Sequence, residues 1–235
     1  MKKAQRQILF LLLFSILGFL ALQIKLSPII EGGGRSFSVF EFLGPTCGMF
    51  LTSFYGALAV FLVKFFNALF SGNLSHLPTI IGFFTLPLAA VYFGLKKENK
   101  NHKIILLIPV LAILLFIFHP EGRKAWFFSL YWLIPILAYF KKERLISNAL
   151  GSTFLAHCIG SVAFLYTFNL PASVWISLIP VVAIERGCFA LGIWASYLVL
   201  NNVLEVIRVK YKISAFETLI NKEYLLSSEK FLRTF

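Results

Sequence analysis

Long apolar stretches separated by short polar segments run along almost the whole chain. Six of these stretches are long enough, or nearly so, to cross the ~30 Å hydrocarbon layer of a membrane as a helix. They occupy residues 8–26, 79–95, 104–118, 125–140, 145–168 and 174–207. No polar stretch between them is long enough to form a large soluble domain. The pattern therefore predicts an all-α fold, a polytopic integral membrane helical bundle.

Residues 36–70 are mostly apolar but too long for one ordinary span, and they contain Gly44, Pro45, Gly48 and Gly56. We predict that the chain turns back near residues 44–53, at the Gly44-Pro45 corner, giving a short helix followed by a longer one. With this interrupted hairpin, the chain has about seven spans in all. A single long helix kinked at Pro45 is the alternative. Interrupted membrane helices generally line an internal cavity, because their freed backbone groups need protein or water around them.

The distribution of basic residues favours the hairpin. Sixteen of the 22 Lys and Arg residues fall in four clusters, at residues 2–6, 96–103, 141–144 and 208–233. Basic loops beside membrane spans are retained in the cytoplasm, and only the hairpin arrangement places all four clusters on one side. We therefore predict a multi-pass protein of the cell membrane with both termini in the cytoplasm.

The chain divides into one long apolar region and a short tail. Residues 1–208 are predicted to form a single transmembrane helical domain, and residues 209–235 a cytoplasmic tail. Within the tail, Ile213, Phe216, Ile220 and Tyr224 recur at helical spacing between charged residues. This spacing predicts an amphipathic helix lying on the inner leaflet.

Composition and charge exclude several classes of function. The chain is 59% hydrophobic and has a net charge of +12, but its cations lie at the ends of apolar segments, where anionic lipids account for them. The expected partner is therefore the lipid bilayer and no nucleic acid. The chain has no Asp, which disfavours the carboxylate pair of Mg²⁺-dependent phosphoryl transfer. Cys47, Cys158 and Cys188 lie in apolar runs without CxxC spacing, so we expect neither a metal nor a cofactor.

Four ionisable side chains lie within apolar segments. Burying an ionisable group in a membrane costs free energy, so each of these side chains is a candidate functional residue. They are Lys64, His157, Glu185 and Arg186. His157 and Glu185 lie about 16–18 Å from the ends of their helices, near the bilayer midplane. Because Glu185 and Arg186 are adjacent, they should point about 100° apart, one serving a cavity and the other pairing with another helix. A bridge from Glu185 to His157 or Lys64 that only aligns helices is the alternative.

A polar turn joins two predicted spans at the outer surface. It contains His119, Glu121 and Arg123 and precedes a group of aromatic residues. A tight turn with an interfacial aromatic belt is one interpretation; a polar lid completed by Arg35 and Glu41 over an apolar cavity is the other. The substrate-binding candidates are then Glu185, Arg186, His157, Glu41, His119, Glu121, Arg123 and Arg35.

Signatures of catalysis are missing from the sequence. HExxH, GxSxG and GxxxxGK[ST] do not occur. Ser161, four residues after His157, could face that ring, but a Ser at this spacing more often serves helix packing. We therefore predict that the protein is not an enzyme, and an intramembrane enzyme that uses His157 is the least favoured alternative.

Part of the chain, within about residues 8–95, resembles the substrate-binding S components of energy-coupling-factor transporters. In that family a polar residue precedes a short helix, a G-P-x-x-G turn and a helix rich in small residues. The corresponding residues here are Glu41, Gly44-Pro45 with Gly48, Gly56-Ala57 and Lys64. The resemblance implies binding and uptake of a vitamin-like small-molecule substrate, with an energising transporter complex as partner.

The chain also departs from that family. S components generally have six helices, and the Ala-x-x-x-Ala motif that contacts the coupling subunit does not occur in residues 8–26. The cell-shape family that includes the MreD-like proteins has similar helices. A non-transporting membrane scaffold or assembly subunit is therefore the alternative function.

Overall fold

The computed structural model describes residues 3–28, 36–98, 102–141 and 144–226. The helices, numbered in chain order, are α1 (Lys3–Gln23), α2 (Phe40–Leu51), α3 (Ser53–Phe70), α4 (Leu77–Glu98), α5 (Leu107–Phe118), α6 (Pro120–Lys124), α7 (Leu133–Phe140), α8 (Leu145–Phe168) and α9 (Ala172–Tyr211). Short 3₁₀ segments precede α5 and α7, at Lys103–Leu106 and Trp126–Trp132. Two more follow α9, at Ser214–Thr218 and Lys222–Tyr224.

Within the described ranges, four helices are long and apolar enough to cross a membrane: α3, α4 over Leu77–Leu95, α8 and α9. This confirms an all-α protein of membrane type. The prediction of about seven spans is not confirmed, because the other apolar helices are shorter, at Gln7–Gln23, Lys103–Phe118 and Trp126–Phe140. A helix rises only 1.5 Å per residue, so the 12 residues of α5 extend about 18 Å.

The predicted interruption is present and lies within the predicted range 44–53, but the predicted corner at Gly44-Pro45 is wrong. Both residues lie inside α2, and the chain breaks at Thr52, which has a φ of 148°. Residues with a side chain rarely adopt this backbone region. The glycine serves packing instead of turning, since a Cβ on Gly44 would lie 2.9 Å from the Leu86 side chain of α4.

The end of α4 caps both helix ends at the break. Glu98 Oε1 accepts a hydrogen bond from the Ser53 N–H at 2.6 Å, and Lys97 Nζ donates to the Phe50 carbonyl at 3.0 Å. Helix ends expose unpaired backbone groups, and an anion at the first turn with a cation at the last turn also complements the helix dipole. Lys97 and Glu98 therefore stabilise the break from a neighbouring helix.

Three glycines bring α2, α3 and α4 into backbone contact next to the break. A Cβ on Gly48 would overlap the carbonyl of Ala90 in α4, and a Cβ on Gly56 would overlap the Gly48 backbone. A Cβ on Gly94 would lie 2.7 Å from the Gly48 carbonyl oxygen. Residues without a side chain are therefore required where these three helices cross, as at other close helix contacts in membranes.

A small antiparallel sheet separates α1 from α2. Strand β1 (Lys25–Pro28) pairs with strand β2 (Ser36–Ser38), with Ser27 opposite Phe37. Strands of four and three residues are too short to show an alternating pattern in the sequence, and Lys25 and Leu26 belong to β1 rather than to the predicted span 8–26. The glycines at 32–34 lie outside the described residues.

The bundle has two apolar cores, and α4, α8 and α9 contribute to both. One core joins α1 to α4 and includes Ala190 and Ile193 of α9. The other joins α5, α7 and α8 and includes Trp175 and Val182 of α9. The stretch of α9 between Val182 and Ala190 therefore lies at the junction of the two cores.

The predicted amphipathic helix is not present in the described part of the tail, which ends at residue 226. α9 ends at Tyr211, the next residue Lys212 has a left-handed φ of 52°, and the two 3₁₀ segments fold back against the bundle. Leu219 is only 4% exposed. Phe216 and Leu219 pack against the bundle, and the asparagine side chains of α9 bond the backbone of Asn221 and Tyr224.

Candidate functional site

Glu185 and Arg186 lie on the stretch of α9 between the two cores and bind each other. Arg186 Nη2 donates to Glu185 Oε2 at 2.6 Å. One of these neighbours is predicted to serve a cavity and the other to pair with another helix; Arg186 does reach α8, at Thr153, but its long side chain also binds Glu185. Among the described side chains, Glu185 makes no bridge to His157 or to Lys64, and both of those have other partners.

The Arg186 guanidinium lies among aromatic rings and has an unused donor. Its central carbon is 4.3 Å from the centroid of the Phe189 ring and 5.7 Å from that of Phe37 in β2. Nη1 lies 3.4 Å from Thr153 Oγ1 of α8. Within the described residues, the buried Nε has no hydrogen-bond partner. A buried donor without a partner costs about 1–3 kcal/mol, so an acceptor that reached Nε would be stabilised.

The two side chains of the pair differ in exposure. The Arg186 side chain is 13% exposed and the Glu185 side chain 26% exposed. Beside them, no atom of the described residues lies within 4 Å of the place where a Cβ on Gly187 would stand. The pair is thus reachable from the surface at the carboxylate, while the guanidinium is mostly covered.

His157 is a neutral, packed histidine. Trp132 Nε1 donates to His157 Nδ1 at 3.2 Å, and Ser161 Oγ lies 3.3 Å from Nε2. Because the indole N–H can only donate, Nδ1 must accept and the ring proton belongs on Nε2. The rings of Phe128 and Phe154 lie 5.6 Å and 6.0 Å away. Both ring nitrogens are therefore satisfied inside the protein, and Arg186 reaches α8 one turn earlier, at Thr153.

Glu41 forms an ion pair that the sequence analysis did not predict. Lys64 Nζ donates to Glu41 Oε1 at 2.9 Å and lies 5.8 Å from the Phe40 ring centroid. The pair joins the first turn of α2 to α3. The sequence contained a usable indication, since Glu41 and Lys64 stand 11 and 12 residues from Thr52 on either side of the break. Residues equidistant from the turn of a hairpin become neighbours.

The polar turn around α6 caps the beginning of α9. His119 Nδ1 accepts from the Glu121 N–H at 3.3 Å, and Glu121 Oε2 accepts from the Ala172 N–H at 2.8 Å. Glu121 also pairs with Lys124, and Arg123 donates to a carbonyl near the end of α5 at 3.4 Å. These groups serve the turn itself and the helix that follows.

The predicted polar lid is therefore not assembled by the described residues. The groups around α6 bind one another and the start of α9, whereas Glu41 pairs with α3. Arg35, the remaining member of that prediction, lies outside the described residues.

Acidification should weaken the cap made by Glu121. The Lys124 ammonium, with the Ala172 N–H, holds the pKa of Glu121 below its usual range. Because the folded-state pKa is the lower one, its contribution is present above the unfolded value of about 4.3 and is lost as the pH falls through the folded pKa. We expect Glu121→Gln to lower the Tm by roughly 2–4 °C at pH 7 and to come closer to the wild type at an acidic pH. Thermal melts in detergent at both pH values measure this; an equal deficit at both would contradict it.

An apolar hollow of about 100 Å³ lies elsewhere, between α1, α9 and the tail. Its lining side chains are Phe10, Leu13, Phe14, Leu17, Leu200, Leu204, Phe216 and Leu219. Leu200 is 15 residues from Glu185, about 22 Å along α9, so this hollow is not the predicted cavity beside Glu185 and His157. In the described part of the chain, no group of His, Cys or Glu side chains is arranged to hold a metal ion.

Comparison with known proteins gives one relative. An uncharacterized protein of Methanocaldococcus jannaschii is 27% identical over 208 residues, which cover 78% of this chain and 67% of that protein. No protein-family model matches the chain. No solved structure matches it either.

Proposed function

We propose that this membrane protein binds a small polar molecule at the Glu185–Arg186 pair and mediates its uptake across the cell membrane. The observation that carries the proposal is the buried Arg186 Nε, which lacks an acceptor within the described residues. Polar groups inside a membrane bundle are costly and usually mark a substrate path or a partner contact. In this proposal both termini are cytoplasmic, and a separate energising complex drives the movement.

The position of the pair supports a binding role. It lies on α9 between Val182 of one core and Ala190 of the other, with Thr153 of α8 and Phe37 of β2 against the guanidinium. Small-molecule sites are commonly apolar clefts with few converging polar groups, often where two packed units meet. A shift of one core against the other would change the space around this pair.

The chemistry of the pair indicates the class of ligand. The spare N–H of Arg186 calls for an acceptor such as a carboxylate or carbonyl oxygen, and the partly exposed Glu185 carboxylate can accept from an N–H or O–H. The rings of Phe37 and Phe189 offer flat apolar surface beside both groups. A small, flat, vitamin-like molecule with adjacent donor and acceptor groups fits this arrangement.

A ligand screen tests the proposal. Purified protein in detergent is heated with single vitamins and metabolites that carry a carboxylate or cyclic amide. We expect at least one to raise the Tm by several degrees, because a ligand at 100 times its Kd stabilises by about 2.7 kcal/mol. Glu185→Gln should abolish the increase, while Glu41→Gln, which disrupts the other ion pair, should keep it. A broad screen without any stabilising compound on folded protein would contradict binding.

A non-transporting scaffold is the second candidate. The favouring observation is that the remaining polar candidates are satisfied within the chain, His157 by Trp132 and Ser161, and Glu41 by Lys64. On this reading the charges only hold helices or subunits together. Glu185→Gln combined with His157→Ala should then lower the amount of assembled protein in the membrane, while the uptake of any solute per folded molecule stays unchanged.

A further inference from the structure

The tail is bound to α9 by two neighbouring asparagines. Asn201 Nδ2 donates to the Asn221 carbonyl at 2.9 Å, and Asn201 Oδ1 accepts from the Asn221 N–H at 2.8 Å. Asn202 repeats the arrangement, donating to the Tyr224 carbonyl at 3.0 Å and accepting from the Leu226 N–H at 2.8 Å. Each side-chain amide thus donates to one backbone carbonyl of the tail and accepts from one backbone N–H, as the backbone of a neighbouring β-strand would.

Apolar contacts continue the attachment. Leu219 is buried, the Phe216 ring lies 5.6 Å from that of Phe10 in α1, and the Tyr224 ring lies 5.9 Å from that of Tyr197 in α9. Since Asn201 is itself fully buried, removing the tail would leave its amide without partners. A buried polar group in that state costs about 1–3 kcal/mol.

Lys97 connects the tail to the break at Thr52. Its Nζ donates to the Thr218 carbonyl at 3.1 Å and to the Phe50 carbonyl at 3.0 Å. One ammonium group therefore holds the tail and the last turn of α2 together. α2 has only 12 residues, and this bridge stabilises its last turn.

We propose that residues 213–226 form a strap that keeps the α2–α3 break closed, and that release of the strap frees the end of α2. The strap is suited to release, because short 3₁₀ segments with many solvent-facing hydrogen bonds open at lower free energy than the helices beneath them. Releasing it removes the Thr218 contact of Lys97 and uncovers Phe10 and Tyr197 next to the break. The inference does not require that the Glu185–Arg186 pair binds a ligand.

The natural thiol of Cys47 reports on this opening. Cys47 lies on α2 about one turn before the break and is 1% exposed, whereas Cys188 is exposed. In a Cys158→Ala, Cys188→Ser background, Cys47 is the single thiol. Asn201→Ala with Asn202→Ala removes both pairings with the strap, and we expect maleimide to label Cys47 at least about tenfold faster. This factor corresponds to about 1.4 kcal/mol of easier opening.

Two further variants separate strap release from general loosening. Lys97→Met leaves the asparagine pairings in place but removes the bridge, and it should also accelerate labelling even if the asparagine variant folds poorly. Glu121→Gln weakens a helix cap away from the strap and should leave the labelling rate unchanged. If Lys97→Met and the asparagine variant label Cys47 no faster than Glu121→Gln does, the strap does not control the break.

Discussion

Gly48→Ala is expected to prevent stable folding, with a loss of at least about 3 kcal/mol in the free energy of unfolding. A Cβ at this position would overlap the Ala90 carbonyl, and that neighbour is helix backbone rather than a flexible side chain. α2 and α4 would have to separate, which would also disturb Gly56 and Gly94. The amount of monodisperse protein after detergent extraction and its thermal melt measure the effect.

Gly82→Ala provides the matched control for this prediction. Gly82 lies on α4 as well, but no atom of the described residues lies within 4 Å of the place where its Cβ would stand. Alanine favours a helix by about 1 kcal/mol over glycine, so this variant should keep or raise the Tm. A Gly48→Ala protein as stable as Gly82→Ala would show that α2 and α4 do not meet in this way.

Arg186→Met is expected to destabilise the protein by about 2–4 kcal/mol, since it leaves the Glu185 carboxylate without its partner. Removing one member of a buried ion pair costs about 3–5 kcal/mol, and the partial exposure of Glu185 reduces that range. Methionine keeps much of the arginine's apolar bulk against Phe189 and Phe37. Denaturation in mixed micelles gives the change in the free energy of unfolding.

A double-mutant cycle distinguishes lost pairing from lost packing. Glu185→Gln with Arg186→Met removes both charges, and we expect the double variant to recover at least half of the stability that Arg186→Met loses. Residues in direct contact show such coupling, whereas independent sites add. Additive losses would mean that the 2.6 Å contact between Arg186 and Glu185 contributes little.

The interrupted hairpin shows how far sequence reasoning reached. The prediction that all four Lys and Arg clusters lie on one side required an extra turn within residues 36–70, and the structure contains an interruption there. The exact position was missed, because glycine permits both a turn and a close helix contact. At Gly44 and Gly48 the packing partners Leu86 and Ala90 on α4 decide between these uses, and such partners are not visible in a local sequence.

For the candidate site, the sequence indicated the residues but not their partners. The cost of charges in apolar segments drew attention to Glu185, Arg186 and His157. Their partners could not be predicted, because Trp132 meets His157 only through the packing of α8 against the segment before α7. Whether Arg186 Nε has a hydrogen-bond partner depends on which groups pack around it, and the sequence does not show this.

The amino-acid sequence by itself determined the environment of this protein: an apolar, helical chain suited to a membrane, with an interruption within residues 36–70. These properties depend on the hydrophobicity of each segment, and hydrophobicity can be judged from the residues of that segment alone. Only the tertiary structure decided where the chain breaks, which charges pair, and that Lys97, Asn201 and Asn202 bind the tail. Those outcomes depend on contacts at distances of about 3 Å between residues far apart in the chain, and such contacts exist only once the helices have packed.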